Sequence, residues 1–125
     1  MSFIAEYLAK RFAAVRGGMA MRRGEAAMSR GDGSTAVAEF TKAVEAKTAI
    51  LEARHVTVAK AMNELAGAHR LNGNLVAATD MLTEVVDIYQ EKLSSSDPNI
   101  PITMNNLAVM LRNTRKVSSA TGIAC

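Results

Sequence analysis

Apolar residues recur along this chain at intervals of three and four, the spacing that places them on one face of an α-helix. The clearest blocks predict helices over residues 2–16, 35–54, 58–71, 75–93 and 102–115. Between them, residues 31–33, 72–74 and 94–98 are rich in Gly, Asn, Ser and Pro and predict turns. Gly17 and Gly18 are expected to end the first helix, and residues 19–30 make a poor helical pattern. The pattern predicts an all-α fold with no sheet.

The first predicted helix carries large apolar residues on one face and basic residues outside it. The apolar set is Phe3, Ile4, Tyr7, Leu8, Phe12 and Val15. We interpret residues 1–17 as an amphipathic helix that caps and packs on the segment after it. A mitochondrial targeting helix and a membrane-surface helix are open alternatives, because both are basic and amphipathic. Glu6 and the scarcity of Ser weigh against targeting.

One stretch of the chain occurs twice, 42 residues apart, within residues 59–73 and 101–115. Met62, Asn63, Leu65, Ala66 and Arg70 recur as Met104, Asn105, Leu107, Ala108 and Arg112. A fixed period of this size indicates stacked helical repeats, in which helix pairs share one continuous core. We therefore assign residues 18–115 to a single repeat domain. The residues predicted to lie between its helices are Leu65, Ala66, Ala78, Leu82, Val85 and Leu107.

The repeated pattern resembles the tetratricopeptide repeat, and its long period resembles the repeats of kinesin light chains. Residues 55–66, HVTVAKAMNELA, are similar to the linker and first helix of that family, and residues 97–108 repeat them as DPNIPITMNNLA. The resemblance implies antiparallel helix pairs stacked as a short right-handed superhelix of about two and a half repeats. The first repeat is degenerate, because Arg23 stands where the family has Leu. Residues 116–125 are expected to be an irregular tail that cannot supply the missing last helix.

Composition and charge narrow the possible chemistry. The formal net charge is only +3, so nucleic acid is an improbable partner. The single cysteine, Cys125, allows no disulfide framework, which favours an intracellular compartment, either the cytoplasm or the mitochondrion. No apolar run approaches the roughly 20 residues that span a bilayer, so a transmembrane protein is not expected.

The sequence shows no catalytic constellation. His55 and His69 have neither a cysteine nor paired carboxylates at ligand spacing, so we expect no metal, no cofactor, no small-molecule substrate and no enzyme activity. By the resemblance, His69 occupies a packed position that is usually aromatic.

The resemblance also implies a concave groove lined by the shorter helices, where a partner's peptide or helix binds. The residues expected to face it are Lys60, Asn63, Gly67, Arg70 and Leu71 in one repeat and Ile102, Asn105, Val109, Arg112 and Asn113 in the next. The candidate binding residues among them are Lys60, Asn63, Arg70, Asn105 and Arg112. An asparagine side chain offers a donor and an acceptor to an extended backbone, and the basic residues can pair with carboxylates. The asparagines could instead bond only between helices.

The C-terminal end of the predicted stack is a second candidate contact. Met104, Leu107, Ala108 and Leu111 share one face, and no helix follows to cover it. Natural arrays end in a polar capping helix, so Leu107 and Leu111 are predicted to contact a second copy or another subunit. The expected function is a non-catalytic protein–protein interaction module. The alternative is a structural accessory subunit fixed within a larger multi-protein assembly.

Overall fold

The computed structural model describes the backbone of residues 2–120 and the side chains of residues 2–115. Residues 2–120 contain five α-helices and no strand. They are α1 (Phe3–Ser29), α2 (Gly33–Thr48), α3 (Val56–Leu71), α4 (Leu75–Lys92) and α5 (Asn99–Ala120). Each helix packs against the next one along the chain, and α1 also touches α3. The prediction of an all-α fold of stacked helix pairs is confirmed.

The turn from α1 to α2 and the turn from α3 to α4 are built in the same way. Gly31 and Gly73 have φ angles of 73° and 81°, in the left-handed region that glycine adopts without strain. After them, the Asp32 N–H donates to the Ala27 carbonyl at 2.9 Å, and the Asn74 N–H donates to the His69 carbonyl at 2.8 Å. These bonds satisfy carbonyls that the helix ends leave free, as in a Schellman motif.

The predicted break at Gly17 and Gly18 is wrong, because α1 runs without interruption from Phe3 to Ser29. Glycine lowers helix propensity, yet packing outweighs that cost here. The α1 residues buried against α2 are all small: Ala13, Gly17, Ala20, Gly24 and Ala27. They recur at alternating intervals of four and three, so they form one stripe along which α2 approaches closely.

The hydrophobic core lies between all five helices in three connected clusters, and α1 contributes Ala27 to one of them. Phe40, Val58, Val85 and Ile88 are its largest fully buried side chains. Of the predicted core, five residues are buried: Leu65, Ala66, Ala78, Leu82 and Val85. Leu107 is only partly buried, although it packs against the cluster of Ala66, Ala78, Leu82 and Met110.

Two further boundaries differ from the sequence-based prediction. Helix α2 ends at Thr48 instead of continuing to residue 54. In the loop after it, the Arg54 guanidinium forms ion pairs with two carboxylates of α4, Asp87 at 2.8 Å and Glu91 at 2.7 Å. Helix α5 continues to Ala120, so residues 116–120 are not the irregular tail that we expected; residues 121–125 lie outside the described range.

The first ten residues of α1 do not pack on the repeat, contrary to the interpretation of a capping helix. Every described residue from Ser2 to Phe12 is exposed, including all the large apolar ones. Only the part of α1 that begins at Ala13 contributes buried residues. The small residues of α1 cover α2, and Met21 and Met28 pack against the core, whereas the large apolar residues before them are exposed.

Candidate functional site in the groove between helices α3 and α5

A shallow groove of about 200 Å³ lies between α3 and α5. Its walls are Asn63, Gly67 and Arg70 from α3 and Asn106, Val109 and Met110 from α5, with Leu82 of α4 also lining it. The three α3 residues follow each other at intervals of four and three, which aligns them on one helix face. The groove therefore has polar groups on both sides and apolar side chains at its base.

The core packing of α3 determines which of its faces is turned toward α5. Val58, Met62 and Leu65 are buried, so the face that carries Asn63 and Arg70 is turned toward α5. Gly67, between them, has no side chain and leaves the groove open at that level. On α5, Met110 is buried at the groove's base, and this places Asn106 one helical turn earlier on the same side.

The chemistry available in the groove is hydrogen bonding and one positive charge. The amides of Asn63 and Asn106 can each donate and accept, and the Arg70 guanidinium can hold a carboxylate with two parallel hydrogen bonds. Within residues 2–115, the hydrogen bond between side chains of α4 and α5 joins Thr79 and Thr114 at 3.4 Å.

The structure brings together only some of the predicted groove residues. Asn63, Gly67, Arg70 and Val109 line it, whereas Lys60, Leu71, Ile102, Asn105, Arg112 and Asn113 do not. Gly67 and Val109 occupy the same repeat position, and both line the groove. Asn105 does not line it, and Asn106 takes its place on α5. The neighbouring Asn106 was visible in the sequence, but the repeat alignment selected Asn105.

Glu64 follows the groove residue Asn63 in the sequence, and its carboxyl group differs from a free one. Partial burial raises the pKa of Glu64, and the nearby Glu25 carboxylate raises it further. Since Glu64 stands on α3 and Glu25 on α1, two acidic side chains lie near each other between these helices.

The two histidines have structural roles in the fold. His55 caps α3, because its Nδ1 accepts a hydrogen bond from the Thr57 N–H at 3.0 Å. His69 is half-buried near the end of α3, and its Nδ1 is buried without a hydrogen-bond partner among the described residues. In the described part of the chain, His, Cys, Asp and Glu side chains form no cluster of three or more suited to a metal ion.

Paired helices, matching left-handed glycine turns and a groove between alternate helices are the geometry of a helical repeat. A family model for the tetratricopeptide repeat matches residues 16–91, which is more than half of the chain. The chain belongs to the tetratricopeptide repeat family. No curated protein matches its sequence.

The tetratricopeptide repeat match extends from within α1 to the last turn of α4 and so contains two helix pairs. Tetratricopeptide repeats generally mediate protein–protein interactions. The 42-residue period and the resemblance to kinesin light chains stay predictions, as does the division of the chain at residue 17. Among the described helices, none is both long enough and apolar enough to cross a membrane.

Proposed function

We propose that this chain is a non-catalytic protein–protein interaction module whose groove between α3 and α5 binds an extended segment or a helix of a partner protein. The observation that carries the proposal is the pairing of Asn63 and Arg70 with Asn106 and Val109 across a shallow opening. The family generally acts through protein contacts, which agrees with this assignment.

The groove suits a polypeptide with at least one acidic side chain. Amide side chains on both walls can satisfy the N–H and C=O groups of an extended backbone, and Arg70 can pair with a carboxylate. Val109 and the buried Met110 supply apolar contact below them. Such a combination of an apolar base and a polar rim is typical of interfaces between proteins.

A matched pair of asparagine variants tests the groove. Replacing Asn63 and Asn106 together by Ala should weaken partner binding about tenfold or more, because two hydrogen bonds to the ligand are lost. Asn105→Ala is the control, since this asparagine lies on the same helix outside the groove. Partner proteins captured by each variant are quantified by mass spectrometry, and the affinity for the principal one is then measured by calorimetry. Equal affinity of the double variant and the control would disprove the proposal.

The end of the stack is a second proposed contact for a protein. Met104 and Leu111 of α5 are 46% and 52% exposed, and Ala108 between them is also exposed. At the equivalent positions of α3, Met62 and Ala66 are buried under the following helix α4. Leu107 is mainly a packing residue, so Leu111 is the better candidate for contact with a second copy or another subunit.

A further inference from the structure

Most of the exposed large apolar side chains in the described part of the chain lie on α1. They are Phe3, Ile4, Tyr7, Leu8, Phe12, Val15 and Met19, which are between 38% and 84% exposed; we refer to this set as the α1 apolar face. Soluble proteins rarely expose contiguous apolar patches without a binding role. The groove between α3 and α5 does not use these residues, so their exposure requires another explanation.

The α1 apolar face is free because α2 occupies the opposite side of the helix. At about 100° per residue, Ile4, Leu8 and Val15 lie roughly 150–180° from the buried stripe of Ala13, Gly17 and Gly24. Residues 3–12 also extend past the end of α2, because Gly17 already faces Ala46 near the C-terminal end of that helix. At about 1.5 Å per residue, this free segment projects by about 15 Å.

The width of the α1 apolar face favours immersion in an apolar medium over packing against one helix. Phe3 and Phe12 are nine positions apart, which is about 180° around the helix, so the exposed face covers roughly half of the circumference. The seam that one partner helix covers in a coiled coil is a narrower a/d stripe.

The charges within and beside the α1 apolar face select an anionic occupant. Residues 3–24 contain Lys10, Arg11, Arg16, Arg22 and Arg23, and the only acidic residue among them is Glu6, which lies 3.8 Å from Lys10. Pairing of two such helices from two copies would bring their arginines together, which opposes self-association. An anionic lipid surface complements both the charge and the apolar width.

We propose that the α1 apolar face docks on an anionic membrane surface, with α1 lying in the interface and the helix stack outside the membrane. A helix that combines aromatic and aliphatic residues with Lys and Arg is the type of segment that binds in this way. Arg11 lies within the α1 apolar face, because at about 100° per residue it falls between Tyr7 and Ile4. Its Nη1 donates to the Tyr7 hydroxyl at 3.0 Å, and its guanidinium lies 5.8 Å from the ring centre. Such side chains place their aliphatic part on apolar surface and their charge in water.

The absence of tryptophan from the sequence permits a site-specific fluorescence test. Phe12→Trp reports on the α1 apolar face, and Val76→Trp reports on an exposed position of α4 away from it. With vesicles of phosphatidylcholine and phosphatidylglycerol, we expect a blue shift for the first reporter and none for the second. With phosphatidylcholine alone, the shift should be weak. No shift at Phe12→Trp, or equal shifts at both positions, would overturn the proposal.

Co-sedimentation with the same vesicles separates the apolar and the charge contributions. Leu8→Asp should abolish binding, and Arg11→Gln with Arg22→Gln should lower the partition coefficient about 25-fold, at about fivefold per arginine. Val76→Asp, at an exposed position of α4, is the control and should bind as the wild type does. Circular dichroism checks that each variant keeps its helices. If vesicles do not bind, and Leu8→Asp instead converts a dimer into a monomer or releases a captured protein, the face is a protein interface and the membrane proposal is wrong.

Discussion

Three glycines of α1 differ in the atoms that surround them, and this difference determines whether each is needed for close packing of α1 against α2. A Cβ atom added to Gly24 would lie 2.5–2.8 Å from three ring atoms of Phe40, which is closer than atoms can approach. Gly17 would place its Cβ at an ordinary 3.4 Å from the Ala46 Cβ. At Gly18 the nearest atom is a flexible Arg22 nitrogen at 4.0 Å. Only Gly24 is therefore required for the close approach of α1 and α2.

We predict that Gly24→Ala lowers the free energy of unfolding by about 1–3 kcal/mol, because Phe40 is fully buried and has no space to move aside. Gly18→Ala is the matched control in the same helix and should raise it by about 0.5–1 kcal/mol, since alanine loses less backbone entropy than glycine. Urea unfolding monitored by circular dichroism measures both variants. Equal effects of the two substitutions would show that α1 does not pack against Phe40 in this way.

The N-termini of α2 and α4 are equivalent elements that are capped differently. Asp32 caps α2 by accepting a hydrogen bond from the Thr35 N–H at 3.1 Å, whereas Asn74 makes no side-chain capping bond at α4. The hydrogen bonds from Thr35 lower the pKa of Asp32, with a smaller contribution from Arg30. The ionised carboxylate thus favours the folded state.

We predict that Asp32→Ala lowers the thermal midpoint at neutral pH, and that Asn74→Ala changes it much less. The sign of the pH dependence follows from the lowered pKa of Asp32. The ionised carboxylate stabilises the folded state fully above the ordinary pKa of about 3.9, and this stabilisation is lost as the pH falls through the pKa of Asp32 in the folded protein. Asp32→Asn is the second control, because it keeps an acceptor that does not titrate. Calorimetry across the acidic range should show the Asp32→Ala difference shrinking as the pH falls, and a constant difference would contradict the assignment.

At the scale of the whole molecule, each end of the helix stack exposes apolar side chains. The α1 apolar face stands at one end, and Met104, Ala108 and Leu111 of α5 stand at the other. The chain between them has a continuous core, so neither end is needed to complete the packing of the interior. Both ends are therefore available for association.

We predict that Leu111→Asp abolishes association through α5, because a carboxylate would have to be desolvated in an apolar contact. Val76→Asp on α4 is the control, since Val76 is 63% exposed at a different place. Analytical ultracentrifugation of the purified chain detects loss of a self-associated species, and quantitative capture detects loss of another subunit. A wild-type chain that is monomeric at high concentration, together with unchanged capture by Leu111→Asp, would contradict a contact at this end.

Local sequence was sufficient for the fold class, four of the five helices in outline, the turns at residues 31–33 and 72–74 and most of the core. Helical spacing, as around Leu65 and Leu82, and the conformational freedom of Gly31 and Gly73 act over a few residues, so the sequence alone encodes them. The tertiary structure decided the remainder. Gly17 lies inside a helix because α2 packs against it, and Asn106 faces the groove in place of Asn105 because the burial of Met110 sets the orientation of α5. The α1 apolar face is exposed because the small residues of the same helix occupy the contact with α2, and only the positions of neighbouring helices determine which side of an amphipathic helix is covered.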